Sequence, residues 1–139
     1  MEGGAGRRCS VRILTDADGQ RALWTAKGTL RREGEGFRLS YAQDGSLVTL
    51  EKSGGPVLMT REGNGIYLRL PFSPGETTEG EIGVSPQNRG TAEIRTETAD
   101  AAWQGPGGEA RLTVGLKYVL TYAQGVSQSV SLRLSAEEE

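Results

Sequence analysis

Residues 110–134 read ARLTVGLKYVLTYAQGVSQSVSLRL, and the alternation in this stretch decides the fold. Ala110, Leu112, Val114, Leu116, Tyr118, Leu120 and Tyr122 take every second position, with Arg111, Thr113, Lys117 and Thr121 between them. A period of two marks a strand with one face against a core and the other in water. Ala123-Gln124-Gly125 then reverses the chain into Val126, Val130, Leu132 and Leu134, set against Ser127, Ser129, Ser131 and Arg133. The pair predicts an antiparallel hairpin.

Outward from this hairpin the same pattern recurs. Phe37, Leu39 and Tyr41 alternate around Arg38 and Ser40, and Gln43-Asp44-Gly45 turns the chain into Leu47–Lys52. Asp-Gly between apolar runs is a strong hairpin signal. Further strands are predicted over Cys9–Thr15, Ala22–Arg32, Val57–Glu62, Ile66–Phe72, Glu79–Val84 and Thr91–Thr98, with turns at Asp18-Gly19, Gly34-Glu35-Gly36, Gly54-Gly55-Pro56 and Gly63-Asn64-Gly65. The 21 glycines, about twice the usual share, are spread along the chain as punctuation. Thr98–Gln104 is the one stretch read as a helical turn, ended by the loop Gly105-Pro106-Gly107-Gly108. The expected architecture is all-β: a single antiparallel β-barrel of about eight to ten strands, with a β-sandwich as the alternative. Residues 8–135 form the barrel domain, residues 1–7 a flexible lead-in, and residues 136–139, ending in Glu137-Glu138-Glu139, a frayed acidic tail.

Composition closes off several function classes. With 139 residues the chain holds one domain. A net charge of -2 supplies no field for phosphate backbones or anionic lipid, so no nucleic-acid or membrane partner is expected. Histidine is absent, which removes the usual general base and the commonest transition-metal ligand; neither a metal nor another cofactor is expected. The lone Cys9 alternates in step with Val11 and Ile13 and reads as a buried core thiol, which suits a reducing, cytoplasmic setting. No secretory signal and no apolar run of spanning length is read.

The order of features resembles the YwiB-like family of small bacterial proteins. The resemblance rests on Gly28 followed by Gly36-Phe37-Arg38-Leu39-Ser40-Tyr41, on Met59, and on Pro71-Phe72 and Pro74-Gly75 leading to Gly80-Glu81-Ile82-Gly83-Val84. The closing hairpin Tyr118–Leu134 completes it. It departs from the family at Leu70-Pro71-Phe72-Ser73-Pro74-Gly75, where a tyrosine-threonine-proline step is usual, and over a longer, more polar stretch from Pro86 to Gly108. The resemblance implies a calycin-type (lipocalin-like) barrel and brings no assigned activity or site residues. By likeness to lipocalin barrels, Arg133 of the last strand would pack across Trp24 of an early strand as a latch.

No constellation for catalysis stands out. Asp16-Ala17-Asp18-Gly19 lacks the remaining acidic positions of a calcium loop and reads as a turn. Glu76, Glu79 and Glu81 read as a solvated face, and a serine nucleophile would have no base. The expected role is therefore non-catalytic: binding a small or apolar molecule in or at the mouth of the barrel. The candidate ligand-binding side chains are Trp24, Tyr41, Tyr67, Tyr118 and Tyr122, each with apolar area and a hydrogen-bonding tip, plus Arg69 for an anionic head group. The alternative is a protein-interaction module or homodimer using an outer sheet face or an open barrel edge.

Overall fold

In the computed structural model, which describes residues 6–104 and 111–139, ten antiparallel strands form a closed barrel. They are β1 (Arg7–Ala17), β2 (Gln20–Glu33), β3 (Gly36–Gln43), β4 (Ser46–Lys52), β5 (Val57–Gly63), β6 (Ile66–Phe72), β7 (Thr77–Ser85), β8 (Asn88–Gln104), β9 (Arg111–Tyr122) and β10 (Ser127–Glu138). Each strand pairs with its neighbour in sequence, and β10 closes the ring on β1 over Cys9↔Glu138 to Ala17↔Val130. Closure gives every strand two neighbours and excludes the β-sandwich alternative, while residues Gln20–Lys27 of β2 extend beyond the pairing with β3 and keep one edge unpaired.

Turn chemistry explains the meander. Asp18-Gly19, Asp44-Gly45 and Asn64-Gly65 have positive φ at both central residues, as type I′ hairpin turns require. Asp and Asn tolerate that conformation and Gly adopts it without strain.

Three expectations need correction. Thr98–Gln104 is not a helical turn but the second half of β8, paired with β9 from Thr98↔Lys117 to Gln104↔Arg111. An extra residue, Glu97, bulges between Thr96 and Thr98 and shifts the inward set from Ala92, Ile94 and Thr96 to Ala99, Ala101 and Trp103. The acidic end is not frayed: Glu137 and Glu138 lie in β10, Glu137 binds Arg111 at 2.6 Å, and the Glu139 N–H donates to the Arg8 carbonyl at 3.1 Å. Likewise Arg7, assigned to the lead-in, opens β1. The loop Gly105–Gly108 and residues 1–5 lie outside the described residues.

The core fills the ring. Cys9, Val11, Ile13, Phe37, Leu39, Leu50, Phe72, Ile94, Leu112, Val114 and Leu116 are all buried on the inner face. Phe72 of β6 and Tyr118 of β9 are three strands apart in the ring, yet their ring centroids lie 4.6 Å apart. The two side chains meet inside the ring.

Candidate binding surfaces

The sequence-predicted side chains do not form one site. Tyr41 and Tyr118 are buried on the inner face, and burial pushes each phenol up to about 12, against the pull of the nearby Arg61 charge in the case of Tyr41. Tyr122 is half-buried beside Tyr118, and its hydroxyl donates to Gln128 Oε1 at 3.4 Å. Trp24 shares the inner face with Ile13, its cross-strand partner, but is 39% exposed where β2 runs past the end of its pairing with β3. Tyr67 and Arg69 face the other way. They sit opposite Glu62 and Thr60 on the outer surface, and the Tyr67 hydroxyl donates to Glu81 Oε1 at 3.1 Å. A barrel-interior ligand would not meet them.

The expected latch is also absent. Arg133 pairs in register with Leu14 and Gly115 on the outer face, so the sheet separates it from Trp24. An arginine–tryptophan stack does exist elsewhere. The Arg32 guanidinium lies 4.9 Å from the Trp103 ring centroid, and Trp103 Nε1 donates to the Gly36 carbonyl at 3.3 Å. These contacts tie β8 to β2 and β3 across one end of the barrel.

A concave surface lies outside. A trough of about 650 Å³ runs over the outer face of β8, β9, β10 and β1. Its floor is low because β9 and β10 present Val119, Ser129 and Ser131 there. One wall is the β1–β2 turn with Asp16, Asp18 and Gly19. The opposite wall is Arg95, Glu97 and Gly75, whose loop is pinned to β8 by Gly75 N–H to Thr96 carbonyl (2.9 Å) and Thr96 N–H to Glu76 carbonyl (3.0 Å). Lys117 pairs with Glu97 at 3.2 Å, while Arg95 makes no ion pair among the described residues.

The carboxylates of Asp16-Ala17-Asp18-Gly19 close the turn and tie it to β10. Asp16 Oδ1 accepts the Gly19 N–H at 2.8 Å and Asp18 Oδ1 accepts the Ser129 N–H at 2.9 Å. That supports the turn reading, and no cluster of three or more metal-ligating side chains exists among the described residues. A shallower groove of about 460 Å³ continues along the same face past Arg12, Leu14, Leu23, Gly115 and Arg133. Leu14 and Leu23 stand opposite each other there, 44% and 56% exposed. The serine alternation of β10 signalled a wet face; nothing in it signalled that the walls would rise around it.

The fold defines a class: closed, ten-stranded, antiparallel meander barrels with a packed interior. Within it the chain is similar to the ywiB protein from Bacillus subtilis, whose crystal structure superposes with a TM-score of 0.68 at 15% identity, over 100% of this chain and 95% of that one. At that identity the likeness concerns the fold. No protein family matches the sequence, and neither does any curated protein.

Proposed function

We propose that this chain is a non-catalytic, cytoplasmic binding barrel of a bacterial YwiB-like, calycin-type family, and that it takes a small molecule in the outer trough instead of inside the ring. The full-length likeness in fold supports the family, and the single buried Cys9 suits the compartment. The observation that carries the location is the contrast in free space. Phe72 packs on Tyr118 inside the ring, whereas the trough, which reaches Tyr118 from the outside, offers about 650 Å³, a ligand-sized volume, to converging polar groups. Asp16 and Asp18 on one wall and Arg95 with the Lys117–Glu97 pair on the other suit a molecule with polar groups at both ends and an apolar middle over Val119.

The test is native mass spectrometry of the freshly purified protein, followed by rebinding of whatever co-purifies to wild type and to Ser131→Trp. A retained small molecule that Ser131→Trp rejects while keeping its fold is the expected result. A ligand whose binding Ser131→Trp leaves unchanged places the site elsewhere. The exposed Leu14–Leu23 pair favours a second reading, docking of a protein partner or a second copy on this face. A dimer that sediments as monomer in Leu23→Asp would favour it.

A further inference from the structure

The end of the barrel opposite the Arg32–Trp103 stack carries an inward-facing arginine in a different situation. Along β5 the inner face runs Val57, Met59, Arg61, and Arg61 lies in register between Val48 of β4 and Leu68 of β6. Its backbone position therefore commits a cation to the inside of the ring, near the mouth formed by the β3–β4 and β5–β6 turns. The guanidinium is only half-buried, but one edge of it is fixed. Nε donates to Ser46 Oγ at 2.7 Å, and that buried hydroxyl donates in turn to the Gln43 carbonyl at 2.6 Å. A relay of two bonds ending on a backbone carbonyl holds the fork in one orientation.

The two terminal nitrogens are then left over. Among the described residues they have neither a hydrogen-bond acceptor nor a carboxylate within ion-pair distance. At the opposite end Arg32 rests on an indole face; among the described residues Arg61 has no such ring contact. Tyr41 stands beside Val48 on the same inner face, close enough to feel the Arg61 charge, and its hydroxyl also lacks a hydrogen-bond partner among the described residues. With its phenol raised to about 12 by burial, Tyr41 stays a neutral donor at any physiological pH.

We infer that Arg61 and Tyr41 form an oxyanion site at this mouth of the barrel, taking a carboxylate or phosphate group on the terminal guanidinium nitrogens and the phenol hydroxyl. A planar fork with a fixed Nε edge matches two oxygens of one such group, and charge-assisted bonds of this kind are the strong ones. The inference is independent of the outer trough, which Arg61 does not line.

The experiment is an NMR titration that follows the Arg61 Nε–H resonance and the Ser46 and Gln43 amides. Sodium phosphate and sodium benzoate are the two probes, each against sodium chloride at equal ionic strength. We expect saturable shifts at these three signals with at least one probe, weakened about tenfold in Arg61→Gln and by a smaller factor in Tyr41→Phe. Saturation with benzoate alone assigns the site to carboxylates, and with phosphate alone to phosphate groups. Arg61→Lys keeps the charge but not the fork, so it covers the case in which Arg61→Gln fails to fold; it too should bind more weakly. Shifts that follow chloride equally, that persist in the variants, or that are as large at the outer arginines Arg12 and Arg133 overturn the inference.

Discussion

Leu116 and Lys117 are neighbours in β9, and they belong to different materials. Leu116 points inward, in register with Leu132 and Ala99, and is 1% exposed. Lys117 points outward into the trough and pairs with the exposed Glu97. The inner face of β8, β9, β10 and β1 is close-packed aliphatic and aromatic side chains meeting their counterparts from across the ring. The outer face of the same strands is mostly polar and charged, and dips into a trough over Val119, Ser129 and Ser131. One ribbon thus supplies both the stability of the barrel and its candidate binding surface, and a change on one face should leave the other nearly untouched.

The largest break in that comparison comes from the inside. Leu116→Ala should cost about 2–5 kcal/mol, the range for a fully buried leucine, read as a lowered midpoint in chemical denaturation. A loss of comparable size should appear in base. The folded phenols of Tyr41 and Tyr118 are raised to about 12 from an ordinary 10.0, so both states keep them protonated below pH 10. Their contribution is intact there and is lost as pH rises through 12, because the unfolded chain ionises first. A melting temperature that stays flat across that window would mean the two phenols are not enclosed.

Outer-face changes sharpen the comparison from the other side. Lys117→Ala should shift stability by about 0.5 kcal/mol or less, since an exposed ion pair contributes little. If it matches Leu116→Ala, the register is wrong. The smallest effect belongs to Gly115, where an added Cβ meets nothing within 4 Å and φ is not positive. Gly115→Ala should be neutral to slightly stabilising, whereas Gly36→Ala, whose Cβ would run into the Lys52 backbone carbonyl at 2.0 Å, should be clearly destabilising in the same melting assay.

Most of the fold was legible in the sequence because β9, β10 and the Asp-Gly and Asn-Gly hairpins follow period two and turn rules that need no tertiary information. The second half of β8 was not. The Glu97 bulge moves the inward set from even to odd positions there, so the alternation cancels over Thr96–Ala101, and the alanines add no strand signature. The acidic end misled for a related reason: Glu137, Glu138 and Glu139 look solvated until β1 supplies a partner strand and Arg111, Arg7 and Lys27, in that order, supply cations.

The candidate site was the least legible part. The alternation that sets Tyr41 and Tyr118 on the core face also sets Tyr67 and Arg69, out of step with Leu68 and Leu70, on the outer one; residue type alone does not say whether an aromatic side chain packs or binds. Arg61 escaped notice because an arginine in a strand is ordinarily outward; only register places it inside.

The central claim, a packed interior with binding on the outer trough, is tested most directly by mapping the amide shifts produced by the co-purifying molecule, or by the best hit from a small-molecule panel. The account predicts saturable shifts at Asp16, Asp18, Lys117, Val119, Ser129 and Ser131, with the inner residues Leu39, Leu50 and Ile94 unmoved. Shifts concentrated at those inner residues would contradict it.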